Sequence, residues 1–172
     1  MKFARIITNK GILNARLFEN EVPVTVENFS RLAEQGVYDA SHFHKYVEDV
    51  LIQAGSPNGK PEGWGGYFLR GEASAKKQRH DTGVLSMACT TTNTMSTQFF
   101  IAMSREETYH LDRLCTCFGI VDREDFHILR SLRKGDKIEK IEILGASDRD
   151  EAAFRQFTER AQLEEDEEEE YE

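Results

Sequence analysis

The chain has 172 residues, 39% apolar and 31% charged, the size of one domain built on a single core. Its longest apolar stretches, such as Phe99 to Met103, fall far short of the roughly 20 residues that cross a bilayer, and the N-terminus lacks the run of about 7 to 15 apolar residues of a secretory signal. The formal net charge of -9 sits in the tail: eight of residues 164–172 are acidic, leaving 23 acids against 22 bases, so the body carries no electrostatic footprint for nucleic acid.

Residues 2–8 and 12–18 read as two short strands joined through Asn9, Lys10 and Gly11, a turn tolerant enough for a hairpin. From Thr25 the period changes to that of a helix, with Val26, Phe29, Leu32 and Ala33 on one face, Thr25 as the cap and Gly36 as the stop. Strand-like runs follow at about 41–46, 50–54, 84–88, 97–103 and 115–121. No amphipathic helix separates them in the middle of the chain, which favours a closed or sandwiched β architecture over a parallel sheet. Residues 122–134 predict a second helix, capped by Asp122, buried through Phe126, Leu129 and Leu132, and stopped by Gly135. The last strand, Lys137 to Leu144, alternates imperfectly and predicts a bulge. Phe154, Phe157 and Ala161 then suggest a third helix over 147–163, and residues 164–172 an acidic tail too charged to bury.

Three cysteines, Cys89, Cys115 and Cys117, are too few to staple a chain of this size, and a reducing compartment with packed thiols fits them best. A cytoplasmic protein, compatible with residence in the nucleus, is the expectation. His42 with His44 and Cys115 with Cys117 have no four-ligand spacing, so no metal and no cofactor are expected. The glycine-rich stretch from Gly63 to Gly71 lacks the Gly-Lys-Ser or Gly-Lys-Thr ending of a phosphate loop.

The strongest chemical signal lies between Gly83 and Ile101. Gln98 and Phe100 share one face of a strand, and Leu51 and Gln53 repeat the pairing of a hydrophobe with an amide two residues away. Such a surface suits a peptide bearing a small apolar ring, whose ring wants a pocket and whose backbone wants hydrogen-bond partners. From pattern alone the same glutamines also read as solvated outward residues over an ordinary core phenylalanine.

Ser-His-Phe-His-Lys at 41–45, the Gln53 strand, the loop around Trp64, Gly65 and Gly66, Leu85-Ser86-Met87-Ala88, Ser96-Thr97-Gln98-Phe99-Phe100-Ile101, and His110-Leu111-Asp112 followed by Phe118-Gly119 together resemble the cyclophilins. The likeness extends from about residue 2 to residue 145. It implies an all-β-dominated domain over 1–146, a closed eight-stranded antiparallel barrel with two capping helices, to which the C-terminal helix is added. It also implies a monomeric peptidyl-prolyl cis-trans isomerase that assists protein folding by acting on proline-containing peptides or proteins.

The resemblance assigns Lys45 and Gln53 to catalysis, and Phe43, Val50, Leu51, Met87, Ala88, Cys89, Gln98, Phe100, His110, Leu111 and Cys115 to substrate binding. Phe100 would floor the proline pocket, with Leu51 in place of the usual methionine and Val50 in place of a phenylalanine. Lys45 replaces the family's arginine, Cys89 a common asparagine, Cys115 a histidine, and His110 a tryptophan found in many members. These departures imply weakened catalysis, because an ammonium cannot reproduce a planar guanidinium fork, and weak or no cyclosporin binding. Two other readings stay open: a non-catalytic module that captures proline-containing segments within a larger assembly, and a scaffold that meets partners through residues 148–163.

Overall fold

The computed structural model describes residues 1–60, 63, 65–89 and 94–145; the expected third helix and acidic tail lie outside them. The hairpin forms as β1 (Phe3–Thr8) and β2 (Gly11–Leu17), in register from Phe3 opposite Arg16 to Thr8 opposite Gly11. Gly11 adopts φ +139°, and a Cβ there would fall 2.7 Å from Ile128 Cδ1, so the turn needs a glycine for both its backbone angle and its close neighbour.

Helix α1 (Pro23–Glu34) starts two residues before the expected cap, because Pro23 presets the helical φ at the first position. Thr25 therefore does not cap it. Instead its backbone N–H and hydroxyl both donate to Glu72 Oε1, at 2.7 and 2.8 Å. Gly36, at φ +77°, ends the helix as expected, with its N–H on Ala33 O and that of Val37 on Leu32 O. The buried face of α1 carries Phe29 into the middle of the main core, where its ring lies 4.8 to 5.5 Å from those of Phe118, Phe99 and Tyr38.

The expected strand at 41–46 is two pieces, β3 (Ser41–His42) and β4 (Lys45–Val47), which pair with different partners. The break falls where Phe43 N–H donates to Asp136 O and Phe43 O accepts from Gly135 N–H, which turns the chain from one ladder to the other. Then follow β5 (Leu51–Ala54), β6 (Leu69–Arg70), β7 (Val84–Cys89), β8 (Thr94–Ala102), β9 (Cys117–Val121) and β10 (Lys137–Leu144). The two-residue β6 was not among the expected strands, nor was the short helix α2 (Arg105–Thr108), which continues into a 3-10 turn at Tyr109–Leu111. The expected helix over 122–134 shrinks to a 3-10 turn at Arg123–Asp125, with Asp122 accepting from Glu124 N–H, and α3 (Phe126–Ser131). The bulge in the last strand is present: Ile7 opposes Lys140 but Thr8 opposes Ile138.

The sheet is antiparallel in the order β3-β10-β1-β2-β9-β7-β8-β5-β4, with β6 paired to β8. It curls, for its two end strands are successive pieces of one stretch of chain. Among the described residues, counting β3 and β4 as one interrupted strand and setting β6 aside gives the eight that were expected.

Candidate functional site

A row of directly opposed residues crosses four strands: Lys45 on β4 faces Gln53 on β5, Gln53 faces Phe100 on β8, and Phe100 faces Ser86 on β7. Opposed residues of antiparallel strands project from the same side of the sheet. The four side chains therefore share the face turned away from the main core. On it, Leu51, Ala88, Phe100 and Cys115 form a second apolar cluster, flanked by Val50, Cys89 and Leu111. His110 and Lys45 are exposed beside it. Met87 and Phe43 are elsewhere. Met87 opposes Phe99 and Phe43 sits at the break between β3 and β4; both are buried in the main core and do not reach this cluster.

The two glutamines meet. Gln53 Nε2 donates to Gln98 Oε1 at 2.8 Å, and Gln98 Nε2 donates to Gly63 O at 2.6 Å. Because Gly63 O can only accept, the amide of Gln98 is fixed, Gln53 must donate to it, and the carbonyl oxygen of Gln53 is left directed away from Gln98. Gln98 is fully buried and Gln53 half-buried, so Gln98 holds its neighbour and Gln53 is the arm that can meet a ligand. Replacing Gln98 by leucine is expected to cost about 1–3 kcal/mol by stranding Gly63 O and the Gln53 amide, and to raise KM more than it lowers kcat. Chemical denaturation and steady-state kinetics of Gln98→Leu check this.

Behind Phe100 lies a polar network absent from the expected site. The His80 ring, fully buried, stacks on the Phe100 ring at 5.7 Å and 12°. Its Nδ1 lies 2.9 Å from Asp112 Oδ1, which also accepts the His80 backbone N–H, and Arg105 Nη1 pairs with Asp112 Oδ2 at 2.6 Å. Its Nε2 lies 2.8 Å from Ser86 Oγ. With Nδ1–H given to the carboxylate, the Nε2 of neutral His80 is an acceptor for the Ser86 hydroxyl, whose one proton is shared between it and Thr116 O at 3.2 Å. Burial holds the His80 pKa below the ordinary histidine value, against the pull of Asp112. Burial opposes ionisation of Asp112, but the bonds from His80 and Arg105 outweigh it and keep its pKa below the usual aspartate value. No local pattern announces His80, which meets Asp112 across 32 residues.

A histidine with a lowered folded pKa binds fewer protons in the fold than in the unfolded chain as pH drops below about 6.5, so stability falls in that window. His44, also buried and also lowered, acts with the same sign. The thermal midpoint should therefore drop between pH 7 and pH 5. Replacing His80 by glutamine should cost about 1–3 kcal/mol at pH 7 and flatten that slope. An unchanged slope in His80→Gln would assign the whole effect to other groups.

The cysteines differ from the expectation of packed thiols. Cys89 and Cys115 form a disulfide with Cα atoms 5.5 Å apart, and Cys117 alone is free. Cys89 lies at the end of β7, just past a register shift against β8. Cys117 lies 3.5 Å from both His80 ring nitrogens, its thiol pushed up to about 12 by burial with the Asp112 charge adding to it, so it is no nucleophile.

Comparison with known proteins agrees on one group. The family described as cyclophilin type peptidyl-prolyl cis-trans isomerase/CLD matches residues 3–148. A peptidyl-prolyl cis-trans isomerase of Synechococcus elongatus is 38% identical over 84% of this chain and 97% of its own length. Peptidyl-prolyl cis-trans isomerase B of Bacillus subtilis is 33% identical over 75% of this chain and 88% of its own. Among solved structures, a cyclophilin type peptidyl-prolyl cis-trans isomerase of Cryptosporidium parvum superimposes with a TM-score of 0.75 at 28% identity, covering 85% of this chain and 99% of its own. The same protein determined in the presence of the dipeptide Ala-Pro gives a TM-score of 0.69 at 29% identity over the same shares.

Proposed function

We propose, for a chain that belongs to the cyclophilin-type peptidyl-prolyl cis-trans isomerase family, that the row Lys45–Gln53–Phe100 carries the family's reaction. The activity is isomerisation of the peptide bond preceding proline. Its barrier of about 18–20 kcal/mol is the amide resonance lost as the bond twists, so no covalent step is needed. The protein has only to bind the twisted amide more tightly than the planar one.

The prolyl ring rests over Phe100, bordered by Leu51, Ala88, Leu111 and Val50. Gln53 offers its carbonyl oxygen to a backbone N–H of the substrate, held in place by Gln98. Lys45, directly across the ladder from Gln53, brings a cationic donor to the prolyl nitrogen, whose lone pair becomes basic only when conjugation breaks. The Ala-Pro dipeptide present with the Cryptosporidium parvum protein supports proline-containing peptides as ligands.

The observation that carries this reading is the shared face of Lys45, Gln53 and Phe100, with the apolar cluster at its centre. A protease-coupled assay on a proline peptide tests it. Acceleration that disappears on Phe100→Ala is the expected result. No acceleration by the wild type at micromolar enzyme, with peptide still bound, would instead make the chain a capture module for proline segments.

A further inference from the structure

The groove that should receive a prolyl ring has a nearly covered floor. Phe100 is 3% exposed, Leu51 9% and Ala88 7%, and Cys115, packed in the same cluster, is itself 3% exposed and bonded to Cys89. The bond joins two segments that border the same cluster. One is the end of β7 bearing Ala88 and Cys89; the other is the turn bearing Leu111 and Cys115, where Cys115 N–H donates to Leu111 O. The remainder of that turn is fastened through Asp112 to His80 and Arg105.

We propose that Cys89 and Cys115 form a thiol–disulfide exchange site for an external dithiol on the wall of the prolyl groove, and that reducing it lets the Leu111–Cys115 wall give way and uncovers Phe100. This rests on the groove assigned above.

The two sulfurs are unequal. Cys89 is partly exposed and Cys115 buried, so an incoming thiolate reaches Cys89 Sγ. It forms a mixed disulfide there, the Cys89–Cys115 bond breaks, and Cys115 leaves as a thiolate that takes up a proton. The second thiol of the reductant then displaces Cys89 Sγ, closing the reductant's own disulfide. Two electrons and two protons pass from the dithiol to the cysteine pair. Cys117, two residues from Cys115, cannot start the exchange from within, because burial keeps its thiol protonated. The reductant must come from solution.

With the bond intact, a prolyl ring enters only when the wall moves outward against its tether. If the tethered groove is receptive about one-tenth of the time, reduction lowers KM roughly tenfold with kcat little changed.

The full chain, purified without reductant, tests this in two steps. Iodoacetamide labelling in denaturant followed by mass spectrometry should find one reactive thiol before dithiothreitol and three after it. Isomerisation of a proline peptide, followed by exchange spectroscopy, should show the lower KM after reduction. In the Cys89→Ser, Cys115→Ser double variant, KM should no longer respond to the reductant. Three reactive thiols before reduction would overturn the proposal, as would equal KM in both states. If neither state isomerises the peptide, its affinity is measured by titration. Tighter binding after reduction then upholds the exchange site while the catalytic reading fails, and equal binding overturns the site.

Discussion

Lys45→Arg is expected to raise kcat/KM roughly tenfold, and Lys45→Ala to lower it by about 10- to 100-fold, both through kcat with KM nearly constant. Lys45 is exposed, and its ammonium must shed water and freeze a long stem to meet the prolyl nitrogen. An arginine at the same place on β4 loses less rotamer freedom for each bond it makes, because its donors are fixed in one plane. A better-aimed charged hydrogen bond worth about 1.4 kcal/mol is a factor of ten in rate. Removal of a donor in an enclosed oxyanion site costs roughly 10²–10³ in kcat, and the exposure of Lys45 places its loss at or below the lower end of that scale. The prolyl nitrogen accepts strongly only in the twisted state, so the effect belongs to kcat. Equal rates for lysine, arginine and alanine at position 45 would remove this residue from the reaction.

Phe100→Ala should cost about 3–5 kcal/mol of stability, as large-to-small substitutions of buried aromatics do. It should also reduce kcat/KM by at least about 100-fold, the loss that follows when a substrate is misplaced by about an ångström. Ile101→Ala is the control. Ile101 is the next residue on β8, fully buried but on the opposite face, in the main core. It should lose about 2–5 kcal/mol while keeping kcat/KM per folded molecule. Denaturation curves and kinetics on both variants decide between a ring that floors a site and one that only fills space: if both lose stability and both keep activity, Phe100 is core.

The local elements were legible mostly where their cause is local. The first hairpin follows from alternation around a tolerant turn, α1 from the spacing of Val26, Phe29 and Leu32, and the bulge in β10 from its broken parity. The start of α1 was misjudged although its cause is local, Pro23 at the first helical position; what no window could include is the partner Thr25 takes instead of capping, Glu72, 47 residues away. The division of β3 from β4 depends on Phe43 meeting Gly135 and Asp136. Helix α2 has four residues, too few to show a period. In the site, strand spacing singled out Gln53, Gln98 and Phe100 but suited solvated glutamines over a core ring as well as a binding surface, and only the resemblance chose between them; what the structure adds is that the two amides meet. The place of Met87 in the main core was not legible, because β7 is buried on both faces and its apolar pattern gives no parity. The Cys89–Cys115 bond spans 26 residues, and the network behind Phe100 joins residues from separate parts of the chain.

The pairing of β1 with β10, Phe3 opposite Leu144, has a consequence for biosynthesis. As the chain leaves the ribosome, β1 and β2 can fold on each other at once, but the free edge of β1 must wait for almost the whole remaining sequence to emerge. Contacts of such long sequence separation form slowly, and an unpaired strand edge recruits neighbouring chains in the interval. Nascent copies stalled before residue 137 should therefore depend on chaperones in a way that released chains do not.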